Sequence, residues 1–318
     1  MKIILKTTDS PAIRQLLLNR LQAAISLYTE TLPIGVDELT NTAGIKPESI
    51  PLYRVEDDMV YKSAIALQLA SLYRVPALAI ATKLADYLSA SGQESFTQPV
   101  LNLIIKVVNP GWIYFQLTDQ AIATWLQHLF QTPANLLTQG DFANRGERET
   151  VPDSHAQITL SLFPVQYAHA RCCSILRLGH QQGIIKLSNP TQRHSWRVIE
   201  PNPIVWLNAA EQLHLVHPAE KCLIAKLLGA LDEISASSQA TRGGFLYTSG
   251  GCTPNFVKLG YSLSDAMLNF YSSCRILGEV QSQTPHLAQV RLGLVEITQS
   301  FLWHILQDRL GVLAPVEL

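Results

Sequence analysis

The spacing of apolar residues in the first part of the chain changes from a helical period to a strand-like one. Apolar residues recur every three or four positions over Pro11–Tyr28, Tyr61–Tyr73 and Pro76–Leu88, which predicts three helices. The dense apolar runs Val100–Val108 and Trp112–Leu117 are rich in β-branched and aromatic residues, and this composition favours strands. The pattern therefore predicts helices followed by a strand pair.

A turn signal separates the two predicted strands. Asn109, Pro110 and Gly111 lie between them, and two strands around a short turn predict an antiparallel hairpin. A further helix is predicted from Thr118 to about Phe130, with Thr118-Asp119 as its cap. Helices combined with an antiparallel hairpin predict a small α+β domain at the N-terminus.

Polar composition marks the predicted domain boundary. The stretch 134–154 is dominated by Asn, Gln, Gly, Arg, Glu and Pro, which is typical of a linker. We therefore predict an α+β domain over residues 1–133, a linker over 134–154 and a second domain over 155–318.

The second domain has an almost wholly helical pattern. Helices are predicted over Pro164–Leu178, from Pro218 onward, over Val257–Leu277 and over Pro285–Leu310. Antiparallel helices joined by loops predict an all-α helical bundle. Paired glycines between Gly243 and Gly251 predict a flexible loop within it.

Composition indicates an ordinary globular protein. Of 318 residues, 47% are hydrophobic and 15% are charged, and the formal net charge is -1. A dedicated nucleic-acid binder is more often basic overall, so RNA binding would need a local basic surface. No apolar run is long enough to cross a bilayer, and we expect a cytoplasmic location with no membrane contact.

Candidate metal, redox and catalytic sites are weak in this sequence. The five cysteines form no CxxC pair and no cluster with zinc-ligand spacing, so we expect them to be reduced and mostly buried. His214 and His217 form an isolated pair, for which we expect a structural or surface role rather than a metal site. We predict no cofactor and no catalytic residue, although a triad assembled through space leaves no sequence signal.

One eight-residue run carries a specific resemblance. Pro164–Arg171 has the sequence PVQYAHAR and resembles the signature of the anticodon-binding helical domain, also called the DALR domain, of arginyl-tRNA synthetases. The segments Asp265–Leu277 and Arg291–Glu317 are similar to the later helices and the C-terminus of that domain. The resemblance covers residues from about Ser161 to Leu318 apart from the glycine-rich insertion.

The first domain resembles another part of the same synthetases. The runs Val60–Ala70 and Asn109–Leu117 look like the N-terminal additional domain and its hairpin. In that family a nucleotide-binding catalytic domain, with two loops that handle ATP, lies between the two tRNA-binding domains. Here only the short linker intervenes, and no Walker A or GxGxxG loop replaces the missing loops. The resemblance therefore implies a paralogue that is not an enzyme.

The resemblance implies two tRNA contacts. The hairpin would hold a base of the tRNA D-loop with Asn109, Trp112 and Tyr114, and the helical domain would hold the anticodon loop with other residues. The implied anticodon-loop residues are Gln166, Tyr167, Arg171 and Leu318. Leu318 stands where the family often has a terminal methionine.

Each contact has a structural alternative. Trp112 and Tyr114 lie two apart on a predicted strand and share a face, which could stack on bases or could pack on a helix as core. Tyr167 and Arg171 lie four apart on a predicted helix, and Arg171 could instead neutralise a carboxylate of the bundle. Gln166 could support packing between helices.

Three functions remain open from sequence alone. The first is a non-catalytic tRNA-binding protein, and the second is a protein-interaction scaffold that has lost RNA binding. The third is the tRNA-binding subunit of a split synthetase with a separate catalytic polypeptide. The near-neutral charge favours the scaffold, whereas the retained aromatic and basic residues favour tRNA binding.

Overall fold

The structure is a computed structural model that describes residues 2–6, 12–31, 49–55, 58–90, 100–132, 162–188, 196–242 and 255–318. Contacts between residues divide the chain into two compact units, Met1–Trp125 and Leu126–Leu318. The division falls inside one helix, Asp119–Gln131. The predicted linker 134–154 and the Gly243–Gly251 loop lie outside the described residues, and the predicted domain boundaries stay a prediction.

The N-terminal unit combines five strands with helices. The strands are β1 Lys2–Lys6, β2 Leu52–Arg54, β3 Val60–Ser63, β4 Val100–Val108 and β5 Trp112–Leu117. The helices are α1 Ile13–Glu30, α2 Ile65–Tyr73, α3 Ala77–Ala90 and α4 Asp119–Gln131, the last of which enters the second unit. The predicted α+β class and antiparallel hairpin are confirmed.

The hairpin belongs to a larger antiparallel sheet. The strand order is β1-β4-β5-β3-β2, so β5 lies at the centre between β4 and β3. One face is closed by helices: Ile105, Ile113 and Phe115 are at most 3% exposed, and α3 contacts β4 and β5. The opposite face carries the side chains that alternate with these residues.

Gly111 holds the hairpin turn against α3. A Cβ at this position would lie 2.7 Å from the Ala77 Cβ and 3.0 Å from the Ala77 backbone, well inside van der Waals contact. Only glycine allows the turn to approach the first residue of α3 this closely. The turn and the start of β5 are thereby fixed in place.

The second unit is mainly helical. Its helices are α5 Phe163–Gln181, α6 Pro218–Arg242, α7 Phe256–Ser273, α8 Glu279–Gln283 and α9 Pro285–His304, followed by a π-helical turn over Ile305–Arg309. Two short strands, β6 Lys186–Leu187 and β7 Val198–Glu200, pair antiparallel. The predicted helical bundle is confirmed. The small sheet was not predicted, because its strands are too short to give a recognisable sequence pattern.

A buried ion pair fixes the start of α6. The Glu220 carboxylate accepts a hydrogen bond from the Arg291 Nε at 2.7 Å and another from the His217 N–H at 2.8 Å. His217 in turn accepts a hydrogen bond from the Ala219 N–H through Nδ1 at 3.2 Å. These contacts satisfy donors at the helix N-terminus, so His217 has the structural role expected for it.

Some element boundaries differ from the predictions. Tyr61–Ser63 is in β3 rather than in the helix predicted from Tyr61, because pairing with β2 and β5 overrides the helical spacing. The helix predicted to end at Leu178 continues through Gly179 to Gln181, and Gly179 is buried against Leu292. The predicted cap of α1 at Ser10 and Pro11 lies outside the described residues.

Three of the cysteines are buried, as predicted. Cys172, Cys173 and Cys274 are buried and Cys222 is partly buried, and all four are free thiols. Burial raises the pKa of the Cys173 thiol to about 12 and that of Cys274 to about 11, so both thiols stay protonated at neutral pH. Cys252 lies outside the described residues.

Among the described residues, no helix combines the length and the apolar character needed to cross a membrane.

Candidate nucleic-acid interface

Helix α5 exposes two aromatic rings near its N-terminus. Phe163 and Tyr167 lie four residues apart, so they occupy the same face of the helix. Their ring centroids are 6.4 Å apart with an interplanar angle of 25°, which is a stacked arrangement. The Phe163 side chain is 53% exposed and Tyr167 is partly exposed. The pair therefore presents stacked rings to solvent.

Arg171 extends this surface by one more turn. Its Nη2 donates a hydrogen bond to the Tyr167 hydroxyl at 3.1 Å, and this bond raises the pKa of the guanidinium above its usual value. The guanidinium carbon lies 5.7 Å from the Tyr167 ring centroid and 5.1 Å from that of Tyr271 on α7. Arg171 is thus a fixed cation between two phenol rings.

The described partners of Arg171 are Tyr167 and Tyr271, and both are phenols. The alternative in which Arg171 neutralises a bundle carboxylate therefore finds no support in these contacts. A guanidinium held over aromatic rings at a partly open surface keeps N–H groups available for an anion or a base edge. We call Phe163, Tyr167, Arg171 and Tyr271 the α5 aromatic cluster.

Close packing between α5 and α7 brings Tyr271 into the cluster. A Cβ at Gly260 of α7 would lie 3.2 and 3.3 Å from the two methyl groups of Val165 on α5, so a larger residue would require Val165 to shift. Val165 is fully buried at this contact. Tyr271, 41% exposed, then lies beside Arg171 although one hundred residues separate them in the chain.

A different face of α5 holds the C-terminal segment. The Gln166 Nε2 donates a hydrogen bond to the Leu313 carbonyl oxygen at 2.8 Å, and the His169 Nδ1 lies 2.8 Å from the Pro315 carbonyl oxygen. Gln166 is 7% exposed and His169 is fully buried. The structure thus places Gln166 under the C-terminal segment, apart from the α5 aromatic cluster.

The C-terminal segment that ends in Leu318 contacts α5 at Arg177, beyond Tyr167. Arg177 pairs with the Glu317 carboxylate and donates from Nη2 to the Val316 carbonyl oxygen at 3.3 Å. Arg177 lies ten residues beyond Tyr167, about 15 Å along the helix axis at 1.5 Å per residue. Leu318 follows Glu317 and is 66% exposed. Of the four predicted anticodon-loop residues, the structure brings together Tyr167 and Arg171.

The three predicted hairpin residues lie together at one end of the N-terminal sheet. Asn109 is exposed in the turn, and Trp112 and Tyr114 are partly exposed on β5. The residues that alternate with them, Ile113 and Phe115, are fully buried under the helices. The alternative in which Trp112 and Tyr114 pack on a helix is therefore wrong, because the helices cover the other face of the sheet.

Lys62 lies beside this pair. It is the register partner of Tyr114 across β3 and β5, and its Nζ lies 5.4 Å from the Trp112 ring centroid. Sequence reasoning missed Lys62 because it assigned the segment to a helix. It also missed Phe163, although the four-residue spacing to Tyr167 is a signal for it, and it missed Tyr271, which only tertiary packing brings near.

The described residues provide no cluster of three or more His, Cys, Asp or Glu side chains arranged to bind a metal ion. On α9, the carboxyl group of Glu296 is instead buried inside the protein. Glu296 is 3% exposed, lies 3.7 Å from the Arg197 Nε, and burial raises the pKa of its carboxyl to about 8.

The helical region of this chain is similar to a known domain family. Residues 165–318 match the family model of the DALR anticodon binding domain. These are the residues that carry Tyr167, Arg171 and Tyr271. No solved structure gives a significant match.

Curated relatives of this chain are arginine–tRNA ligases. The protein from Synechococcus sp. is 28% identical over 151 residues, which cover 48% of this chain and 21% of the relative. The one from Moorella thermoacetica is 31% identical over 174 residues, covering 51% and 25%. The one from Gloeobacter violaceus is 31% identical over 143 residues, covering 44% and 20%. The aligned part of the chain thus spans about a fifth to a quarter of these relatives.

The match to the domain model and the similarity to arginine–tRNA ligases agree with the exposed, aromatic and basic surface of α5. Residues 165–318 of this chain are similar to the DALR anticodon-binding domain, and its relatives are arginine–tRNA ligases.

Proposed function

We propose that this protein binds tRNA without aminoacylating it. The observation that carries the proposal is the α5 aromatic cluster, in which Arg171 is held between Tyr167 and Tyr271 at a partly open surface. Tyr167, Arg171 and Tyr271 of this cluster lie in the region that matches the anticodon binding domain. The proposal includes a cytoplasmic location, where tRNA is used.

The chemistry of the cluster suits an unpaired RNA base. Exposed aromatic rings stack on bases that are not in a helix, and each such contact contributes about 1–3 kcal/mol in comparable complexes. The Arg171 guanidinium can donate to a phosphate or to a base edge beside the stacked base. A loop such as the anticodon loop supplies unpaired bases and phosphates close together, so it is the proposed ligand of this cluster.

The hairpin supplies a second proposed contact. Trp112 and Tyr114 offer aromatic rings on an open sheet face, and Asn109 offers an amide at its edge. An amide can both donate and accept hydrogen bonds, which suits the edge of a base. We propose that this surface binds an unpaired base of the tRNA D-loop.

Absence of catalysis is the other part of the proposal. Residues 133–161 separate α4 from the turn before α5, and fewer than thirty residues cannot form a nucleotide-binding catalytic domain. No motif elsewhere in the sequence replaces the two ATP-handling loops. We propose accordingly that no cofactor, metal ion or catalytic residue takes part, and that tRNA is the partner.

A titration of fluorescently labelled total tRNA with the whole 318-residue chain tests this function. We expect saturable binding at low salt that weakens as salt is added, because phosphate contacts release counterions. Absence of binding at low salt would overturn the proposal and favour the scaffold. Co-purification of a stoichiometric catalytic polypeptide that restores arginine charging would favour a subunit of a split synthetase.

A further inference from the structure

An alternating row of aromatic and basic side chains crosses the open face of the N-terminal sheet. The strand register joins these residues in the order Tyr53, Lys62, Tyr114 and Lys106, on β2, β3, β5 and β4. Residues directly opposite each other on neighbouring strands project from the same face. The four side chains therefore form one continuous row.

Burial confirms which face the row occupies. Tyr53 is 52% exposed, Lys106 is exposed, and Lys62 and Tyr114 are partly exposed. Their neighbours on the same strands, such as Leu52 and Tyr61, are buried. The row therefore faces away from the helices, and Trp112 lies on the same face two residues before Tyr114.

The charge of the strands is one-sided. Lys62 and Lys106 lie in the row, and β2, β3, β4 and β5 contain no aspartate or glutamate. Arg54 projects from the other face, because it is the register partner of the buried Tyr61. The whole chain, by contrast, has a formal net charge of -1. A sheet face that carries two lysines and no carboxylate offers local positive charge to a polyanionic ligand.

The spacing between the aromatic rings of the row fits two adjacent nucleotides. Neighbouring strands lie about 4.8 Å apart, so Tyr53 and Tyr114 are separated by roughly 10 Å with Lys62 between them. An aromatic ring stacks on any base, whereas a lysine ammonium contacts phosphate as a point charge. Two rings that flank a lysine therefore fit two bases that flank the phosphate joining them.

We propose that this row binds two adjacent unpaired nucleotides of RNA. One base stacks on Trp112 and Tyr114, and the next base stacks on Tyr53. Lys62 contacts the phosphate between the two bases, and Lys106 contacts a flanking phosphate. The inference rests on the proposed function, in which Trp112 and Tyr114 hold one base. It adds a second base and the residues that hold it.

Fluorescence anisotropy with the full-length protein tests the second nucleotide. Two labelled probes are titrated at two salt concentrations: a single-stranded RNA hexanucleotide of mixed sequence and total tRNA. Tyr53→Ala should raise the Kd for both probes by about five- to a hundredfold, whereas Tyr53→Phe should keep most of the affinity because the ring remains. Thermal unfolding of each variant by circular dichroism checks that the fold is intact.

Lysine variants test the phosphate contact. Lys62→Gln should raise the Kd and reduce the slope of log Kd against log salt for the hexanucleotide by about 0.7, the value for one phosphate contact on a single strand. Lys83→Gln is the matched control, because Lys83 is exposed on α3 in the helical layer. It should leave both the Kd and the slope unchanged.

The outcomes separate the inference from the proposed function. If binding is lost in Trp112→Ala but unaffected by Tyr53→Ala and Lys62→Gln, the proposed site for a second nucleotide is wrong. The proposed function is then unaffected. Binding of the hexanucleotide through Tyr53 without binding of tRNA overturns the function and supports the row as an RNA site. Binding of neither probe at low salt overturns both.

Discussion

The Arg171 guanidinium donates a hydrogen bond to the Tyr167 hydroxyl one helical turn earlier, at 3.1 Å, while it lies 5.1 Å from the ring centroid of Tyr271. These contacts fix a long, flexible side chain in one orientation before any ligand arrives. A side chain that is already ordered loses less conformational entropy on binding. The pair is therefore prearranged for the proposed RNA contact, and changes to either residue should affect the other.

Replacing Tyr167 tests the stacking contact. Tyr167→Ala removes the ring and should weaken binding of total tRNA by about 1–3 kcal/mol. Tyr167→Phe is the control, because it keeps the ring and removes only the hydroxyl that accepts the bond from Arg171. It should cost less than the alanine variant. Equal losses in the two variants, measured by anisotropy, would argue against stacking.

Replacing Arg171 tests the charge contact. Arg171→Gln removes the cation and should lower the affinity for tRNA together with its salt dependence, by about 0.7 in the log–log slope for one phosphate on a single strand. Lys221→Gln, an exposed cation on α6, is the control and should change neither quantity. A loss of affinity with an unchanged slope would mean that Arg171 contacts a base edge rather than a phosphate.

The two tRNA contacts should act independently. Among the described residues, Trp112 contacts Lys62 whereas Tyr167 contacts Arg171. The free-energy costs of Trp112→Ala and Tyr167→Ala on tRNA binding should therefore add to within about 0.5 kcal/mol. The double variant and the two single variants complete this cycle in one anisotropy series. A double variant no weaker than the worse single variant would show that one of the surfaces does not contact the RNA.

Arginine activation should be absent. The purified chain should show no arginine-dependent exchange of pyrophosphate into ATP, because the sequence contains neither ATP-handling loop. An arginine–tRNA ligase assayed in parallel provides the positive control. Exchange that rises in proportion to the protein concentration and persists after repurification would contradict the non-catalytic proposal.

The buried carboxyl of Glu296 should make stability depend on pH. Burial raises its pKa from 4.5 to about 8, against the opposing influence of Arg197. Since the folded-state pKa is the higher one, the stability contributed by the protonated form is fully present below about pH 4.5 and is lost as the pH rises through about 8.

A neutral isostere at this position should remove that dependence. At pH 8.5, the free energy of unfolding of Glu296→Gln should exceed that of the unchanged protein by on the order of a few kcal/mol. The variant should therefore unfold at a higher temperature. The difference should shrink as the pH falls to 5.5. Thermal denaturation at both values measures it, and a variant that is less stable at pH 8.5 would show that the ionised Glu296–Arg197 pair stabilises the fold.

The local parts of the candidate site follow from sequence alone. Tyr167 and Arg171 are four residues apart on a strongly helical segment, so the helical period puts them on one face whatever packs around them. Trp112 and Tyr114 alternate with Ile113 in the same way on a strand. The apolar pattern also determined that the first region mixes helices with a hairpin and that the second is a bundle.

Tertiary structure decided which residues join those pairs. Tyr53 and Lys62 reach Tyr114 only through the pairing of β2, β3 and β5, and the period of a strand does not say which strand will be its neighbour. Tyr271 reaches Arg171 through the packing of α7 against α5, in which Gly260 lies against Val165. A sequence pattern fixes the face of an element, whereas packing and hydrogen-bond register between distant segments decide what that face meets.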